Sequence, residues 1–299
     1  MKILKLHNPE NHNFGSLIYE MIQTLSFFNI NNSEQMNIDL SEVKNLYPFQ
    51  LLPLVSLINQ NIANGKSIYI KYPDNQTYFN AIGFYKGFDL DFYTNWEREL
   101  ENYKDKGFLP IFVIPTNSNK EAQKTRERVL SILDVLISEQ IKLSPAFRSP
   151  LNYLISEAID NVCDHACIDK AMIMVQYFDT YFDLCICDSG IGILNSYKSN
   201  NFNDINSDEI AIQQAIIGKS TKKQSISRGF GISTSRNLLV NGLNGEYFLF
   251  SGSAFYFQSK DNEQVVKIQN QNRWNGTILA LRIPMQIPIG FNFYNFLES

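Results

Sequence analysis

The stretch 155–166 predicts a helix with two distinct sides. Glu157, Asn161 and His165 are each four residues apart and share one polar stripe. The opposite side repeats apolar residues at helical spacing, as in a helix packed on a core. These residues are Leu151, Leu154, Ile155, Ala158, Ile159 and Val162. Taken alone, an ordinary amphipathic helix with its polar side in water is the simpler interpretation, but later motifs favour a functional stripe.

The composition is that of a globular protein. The chain has 299 residues, 44% hydrophobic and 19% charged, enough for one large or two ordinary domains. Its formal net charge of -4 gives no electrostatic basis for binding nucleic acid. Apolar runs stay short of the ~20 residues that span a bilayer. The first residues turn polar too soon for a secretory signal. We therefore expect a cytoplasmic protein that contacts neither membrane nor nucleic acid.

The four cysteines form two close pairs. Cys163 and Cys167 lie one turn apart on the predicted helix, and Cys185 and Cys187 alternate on a predicted strand. A zinc site is one interpretation, but neither pair has the two-residue gap common in structural zinc sites. Small buried thiols in a reducing compartment are the interpretation we favour.

Strands and helices alternate over residues 1–115, which predicts a small α/β layer structure. The segments with strand patterns are 2–6, 36–40, 67–72 and 108–115, and those with helical patterns are 16–28, 48–63 and 76–82. The polar bridge 116–119 marks a candidate domain boundary.

Residues 120–285 predict a second, α+β domain. Its helical patterns cover 120–141, 151–166, 210–217 and 232–240, and Asn206 with Glu209 forms a capping pair before the third helix. A hairpin is predicted from strands 171–178 and 181–187. The remaining strand patterns indicate an antiparallel meander. They cover 246–250, 254–258, 264–269 and 276–283.

Two glycine-containing segments of this domain look open to a ligand. One predicted strand runs straight into Asp188-Ser189-Gly190-Ile191-Gly192, which offers a carboxylate beside a tight turn. Residues 218–231 combine hydroxyls, four cations and glycines before a helix, a composition that suits phosphate. Each segment alone is also typical of a plain turn or a flexible surface loop.

Four motifs therefore follow one another in order along the chain. They are Glu157-x-x-x-Asn161 on a helix, Asp188-x-Gly190-x-Gly192 after a strand, Gly229-x-Gly231 before a helix, and a terminal Asn275-Gly276-Thr277 strand. This set resembles the GHKL ATP-binding fold of histidine kinases, anti-sigma serine kinases, type II topoisomerases, mismatch-repair ATPases and heat-shock chaperones. The resemblance covers about residues 120–285. It implies helices on a mixed or antiparallel sheet, with ATP and Mg²⁺ as cofactors.

The resemblance also implies roles for the residues at matching positions. Asn161 would bind magnesium through its amide oxygen, since a hard cation prefers oxygen ligands. Asp188 would accept a hydrogen bond from the adenine amino group. Glu157 would be the catalytic residue that orients water or helps activate a phosphoacceptor. The other implied nucleotide-binding residues are Gly190, Gly192 and Thr277 near the base, His165, Gly229 and Gly231 near the phosphates, and Lys219, Thr221, Lys222 and Arg228 in a mobile lid.

A second resemblance covers residues 36–72. The stretch MNIDLSEVKNLYPFQLLPLVSLINQNIANGKSIYIKY resembles a STAS domain, the fold of anti-sigma-factor antagonists. Those antagonists are phosphorylated on Ser or Thr at the start of the helix after the first of these strands. Here that place reads Tyr47-Pro48-Phe49-Gln50, without such a hydroxyl. We expect a STAS-like domain over 1–115 that serves for docking or packing and does not carry the phosphate.

The segment ISEAIDNVCDHA is closest to the anti-sigma serine kinases, whose motif typically reads Glu-Ala-x-x-Asn-Ala-x-x-His-Ala. The histidine-kinase branch fits less well, because the predicted helix 120–141 holds no histidine to accept phosphate. We expect a cytoplasmic Mg-ATP-binding regulator, either a serine/threonine protein kinase or a slow ATPase, with a protein partner or phosphoacceptor. A nucleotide-sensing or scaffold module without turnover stays open, as does a homodimer.

Overall fold

The computed structural model describes residues 2–9, 13–90, 95–141, 144–219 and 231–297, and it is a mixed α/β structure with two sheets. The smaller sheet is parallel and contains β1 (Ile3–Lys5), β2 (Gln35–Asp39) and β3 (Ser67–Lys71), in that spatial order. The larger sheet is antiparallel. Its strands are β4 (Phe112–Pro115), β5 (Lys170–Tyr177), β6 (Tyr181–Asp188), β7 (Glu246–Gly252), β8 (Ala254–Gln258), β9 (Glu263–Lys267) and β10 (Trp274–Pro284). Their spatial order is β4-β5-β6-β10-β7-β8-β9.

Helices connect these strands and cover both faces of the larger sheet. The α-helices of the described residues are α1 (Phe14–Ile30), α2 (Pro48–Ala63), α3 (Thr77–Ala81), α4 (Trp96–Glu101), α5 (Lys120–Ile141), α6 (Pro145–His165), α7 (Gly192–Ser199), α8 (Asp208–Ile216) and α9 (Gly231–Asn237). A π-helical turn, Leu238–Gly242, continues α9, and a 3-10 turn, Phe293–Phe296, lies near the end of the chain. Within the described residues, no helix has both the length and the apolar composition needed to cross a membrane.

Helices α1 and α2 lie between the two sheets. Their apolar residues share one core with the smaller sheet and with one face of the larger sheet. Aromatic rings mark the contact: Phe49 of α2 meets Phe248 of β7 edge-on with ring centroids 4.5 Å apart, and Phe14 of α1 stacks on Phe248 at 6.0 Å. Burial of these rings supplies the apolar area that joins the first part of the chain to the larger sheet.

The opposite face of the larger sheet is covered by α5, α6 and α9, which form a second core. Side chains alternate between the faces along each strand, as the pleat requires. On β6, Leu184 and Ile186 face this second core, whereas Cys185 and Cys187 face α1 and α2. The polar stripe of α6 therefore borders the second face only, and the cleft described below lies there.

A buried ion pair ties β6, β10 and α1 together. Arg282 and Asp183 are register partners, and two guanidinium nitrogens reach the two carboxylate oxygens at 2.9 Å each. The guanidinium also lies over the rings of Phe14 and Tyr181, at 4.7 and 4.4 Å from the centroids. Such a bidentate pair keeps a buried charge satisfied and fixes the register of the two strands.

Most predicted elements are confirmed, and the differences in strand arrangement arise from non-local pairing. β10 inserts between β6 and β7, so the meander prediction is wrong: only β7, β8 and β9 pair in chain order. β4, which precedes the polar bridge 116–119, pairs with β5 and so belongs to the larger sheet. The cap of α8 is Ser207, whose hydroxyl accepts from the Ile210 N–H, and not Asn206. The sequence pattern does not predict α4 or α7.

Candidate functional site

A cleft opens between α6, α7, the end of α8 and the strands β6, β7 and β10. It brings together most of the residues singled out in the sequence. Those that line it are Glu157, Asn161, His165, Asp188, Gly192, Lys219, Gly231 and Thr277. Gly190 lies in the turn behind the cleft wall and does not line it. Four predicted residues lie outside the described part of the chain, namely Thr221, Lys222, Arg228 and Gly229.

Asp188 is the buried acceptor of this cleft, with 2% of its surface exposed. Its carboxylate accepts the Gly190 N–H at 2.8 Å and both the backbone N–H and the hydroxyl of Thr277. Burial raises the pKa of Asp188 to about 6, and these hydrogen bonds oppose a further rise because they favour the charged form. At neutral pH the cleft therefore holds an ionised, oriented carboxylate that suits an amino-group donor.

A bulge in β10 holds the end of β6 in place. The register shifts between Trp274 and Thr277, and Gly276 within it has φ +113°. A Cβ at Gly276 would overlap the Asp188 carbonyl oxygen, so only glycine fits there. The Trp274 indole N–H donates to that same carbonyl at 2.9 Å. Sequence reasoning missed both supports, although a glycine inside a strand pattern is a known signal for a bulge.

The two glycines after Asp188 are required by neighbouring protein atoms. A Cβ at Gly190 would overlap the Ala166 carbonyl, which also accepts the Ile191 N–H at 2.9 Å. Gly192 has φ +74°, and a Cβ there would lie 2.9 Å from Ser251 Oγ. These contacts anchor the turn to the end of α6 and to β7. Close approach to protein backbone is thus the observed reason for these glycines, and approach to a base stays a prediction.

The polar stripe of α6 faces the first residue of α9. Glu157, Asn161 and His165 are all half-buried on the cleft side. A Cβ at Gly231 would overlap Glu157 Oε2 and lie 3.6 Å from Asn161 Nδ2, so the helices approach closely here. Farther along the stripe, His165 Nδ1 lies 3.4 Å from the Ser196 hydroxyl of α7. The cleft therefore offers a carboxylate, an amide and an imidazole along one wall.

Lys219 lines the cleft, and its ammonium is paired with Asp204. Lys219 Nζ lies 3.1 Å from Asp204 and 5.0 Å from the ring centroid of Phe202. Its carbonyl accepts the hydroxyl of Tyr197, a residue that also lines the cleft. The predicted role of this cation toward phosphate would require the side chain to leave Asp204.

The cysteines give no support to a zinc site. All four are free thiols; Cys185 and Cys187 are buried, and burial raises the pKa of each well above its usual value. Burial also raises the pKa of half-buried Cys163, to about 11. Cys167 is exposed, so the prediction of buried thiols is wrong for that residue. Among the described residues, no three or more His, Cys, Asp or Glu side chains group as metal ligands.

Comparison of the chain with protein-family models, with curated proteins and with solved structures found no match. The functional argument therefore rests on the chemistry of the cleft residues.

Proposed function

We propose that this chain binds Mg-ATP in the cleft through a GHKL-type site, preceded by a STAS-like layer, and acts as a regulator. In this proposal it is a serine/threonine protein kinase of the anti-sigma type or a slow ATPase. The observation that carries the proposal is that one cleft gathers a buried carboxylate at the end of β6, its partner Thr277 on β10, and the stripe of α6. These groups come from three distant parts of the chain.

Asp188 supports adenine as the base. Its ionised carboxylate is an acceptor only, so it suits the amino group at the six-position of adenine and disfavours the carbonyl that guanine carries there. Tyr247, Leu249 and Leu279 line the same cleft with apolar surface for a flat ring. We expect guanine nucleotides to compete poorly.

Asn161 and Glu157 support a magnesium ion at the phosphates. Magnesium in nucleotide sites keeps several waters and takes most of its ligands from phosphate, so one or two protein oxygens suffice. The amide of Asn161 and the carboxylate of Glu157 lie one turn apart on the same wall. In the proposed site, Asn161 holds the ion and Glu157 accepts a proton from the attacking hydroxyl or water.

The decisive experiment separates binding from turnover. Mg-ATP affinity, phosphate release and transfer of the terminal phosphate to a co-purifying protein are measured for the wild type, Glu157→Ala and Asn161→Ala. We expect Glu157→Ala to bind Mg-ATP nearly normally and to lose turnover by roughly 10²–10⁴-fold. Asn161→Ala should also weaken magnesium-dependent binding, because it removes an ion ligand.

The outcomes distinguish the candidate functions. A wild type that transfers phosphate to protein is a kinase, one that only releases phosphate is an ATPase, and one that binds without either activity is a nucleotide sensor. A wild type that does not bind Mg-ATP would refute the proposal as a whole.

A further inference from the structure

The polar stripe of α6 extends one turn beyond the predicted site residues. Tyr153 precedes Glu157 by four residues on the same helix, so the two side chains are neighbours on one face. Helix α9 follows this face in the opposite direction. Gly231 lies against Glu157 and Asn161, and Thr234, one turn later, is hydrogen-bonded to the Tyr153 hydroxyl. The two helices therefore meet at two places, Gly231 against Glu157 and Asn161, and Thr234 with Tyr153.

The Tyr153 side chain is held from two further directions. Thr234 is buried, with 5% of its surface exposed, so its hydroxyl has a fixed position. On the other side, the ring of Phe293 from the C-terminal 3-10 turn meets the Tyr153 ring at 5.9 Å with an interplanar angle of 65°. An edge-to-face contact of this kind fixes ring orientation. Phenylalanine would make the same ring contact, so packing alone does not require the hydroxyl.

The hydroxyl stays protonated and lies on the same helix face as a carboxylate one turn away. Partial burial raises the pKa of Tyr153 to about 12, and the negative charge of Glu157 adds to the rise. The phenol is therefore a neutral donor at physiological pH. The Glu157 carboxylate, one turn away on the same face of α6, is an acceptor only.

We propose that Tyr153 is a positioning residue: its hydroxyl, fixed by Thr234, orients the Glu157 carboxylate toward the cleft. This inference rests on the proposed function, because it assigns Tyr153 a part in the reaction that Glu157 serves. In this proposal the position of α9 affects the orientation of Glu157, because Thr234 of α9 holds the Tyr153 hydroxyl. Misplacing a reacting group by about 1 Å can cost about 10²-fold in rate.

The test compares Tyr153→Phe, Thr234→Val and the double variant with the wild type. Tyr294→Phe is the control, because Tyr294 is 71% exposed and its ring adjoins the same Phe293 ring. Four quantities are measured for each: turnover as kcat and KM for Mg-ATP, affinity for Mg-ATP, affinity for Mg-ADP with aluminium fluoride, and the melting temperature. The aluminium fluoride complex mimics the phosphoryl group in transfer and needs no phosphoacceptor.

We expect Tyr153→Phe and Thr234→Val each to lower kcat by about tenfold or more with KM unchanged. Affinity for the aluminium fluoride complex should fall by a similar factor, while affinity for Mg-ATP stays within about twofold. The double variant should be no worse than the single ones, since both remove the same constraint. Tyr294→Phe should match the wild type in every measurement.

Several results would overturn the positioning role. Tyr153→Phe with wild-type kcat and wild-type affinity for the mimic would show that the hydroxyl does not matter. Equal losses of ATP and mimic affinity, together with a lowered melting temperature, would show a structural role only. A wild type that binds Mg-ATP, shows no turnover and binds the aluminium fluoride complex no more tightly than Mg-ATP would refute the positioning role. That result would leave the proposed ATP site intact. A wild type that binds no Mg-ATP would refute the proposed function itself.

Discussion

The variant Asp188→Asn tests two effects of the buried carboxylate, its cost to folding stability and its proposed part in binding the base. Asp188 ionises near 3.8 in an unfolded chain and near pH 6 in the folded protein, because burial disfavours the charge. A rise of this size corresponds to about 3 kcal/mol, at roughly 1.4 kcal/mol per pKa unit. The contribution of this group to stability is complete below about pH 4 and is lost as the pH rises through about 6.

The substitution removes this pH dependence. Asparagine does not titrate, and its amide oxygen can still accept one of the three hydrogen bonds from Gly190 and Thr277. Its NH₂ group faces at least one of the other donors, a mismatch worth about 1–3 kcal/mol at every pH. The absolute change in stability at one pH is therefore a sum of opposing effects. The difference between the two proteins, followed against pH, isolates the carboxylate.

We expect the free energy of unfolding of Asp188→Asn, relative to the wild type, to increase by about 2.5 kcal/mol between pH 4 and pH 7.5. Urea denaturation at several pH values measures it. Asp204→Asn is the control, because Asp204 is exposed and the pKa of its carboxyl is lowered by Lys219. A constant difference between wild type and Asp188→Asn over this range would refute the raised pKa.

The same variant tests recognition of the base. Loss of a charge-assisted hydrogen bond should weaken Mg-ATP binding by about 10–100-fold at pH 7.5. Below pH 6 the wild type should lose affinity too, because its carboxyl becomes protonated, so the gap between the two proteins should narrow. Calorimetric titration at pH 5.5 and pH 7.5 provides the measurement. Equal affinities at pH 7.5 would show that Asp188 does not contact the ligand.

Three further predictions address other parts of the chain. Hydrogen exchange of residues 192–219 should slow on addition of Mg-ATP while strands β8 and β9 stay unchanged; no slowing would argue against closure of this region over a nucleotide. Mass spectrometry after incubation with ATP should find no phosphate in residues 45–52, because Tyr47 is 4% exposed and stacks on Phe178 at 4.9 Å; phosphate on Tyr47 would contradict the packing role of this place. Arg282→Ala should destabilise the protein by about 3–5 kcal/mol, since it leaves Asp183 buried without its guanidinium. Arg273→Ala removes an exposed side chain and should change stability little; urea midpoints compare the two variants.

Local patterns in the sequence predicted elements well and strand pairing poorly. The apolar periodicity of α5 and α6 determines both helices, because each buries one continuous face. The position of β10 between β6 and β7 depends on contacts between distant segments, which periodicity does not encode. The sequence did contain one signal for the pairing of β6 with β10. Asp183 and Arg282 are opposite charges within two apolar strands, and such residues need each other when buried.

The candidate site shows the same division. Residue types and their order predicted that Glu157, Asn161 and Asp188 belong to one site, and all three line the cleft. The backbone contacts that hold these side chains in place were not predictable from residue spacing. The close approach of Gly190 to the end of α6, and the bulge at Gly276, depend on backbone meeting backbone across the fold. The pairing of Lys219 with Asp204 likewise depends on the path of the chain between α7 and α8.

The layer order has a consequence for the phosphoacceptor. Tyr47 is the N-cap of α2, and that helix packs on the face of the larger sheet opposite the cleft. Between the two lies β6, whose Cys185 and Cys187 face α2 while Asp188 at its end lines the cleft. If the chain is a kinase, a phosphoryl group in the cleft cannot reach the start of α2 through a packed sheet. The acceptor hydroxyl of the proposed kinase must then come from the cleft side, and we expect a second molecule to supply it. The layer formed by α1, α2 and the smaller sheet would then act as fixed support for β6.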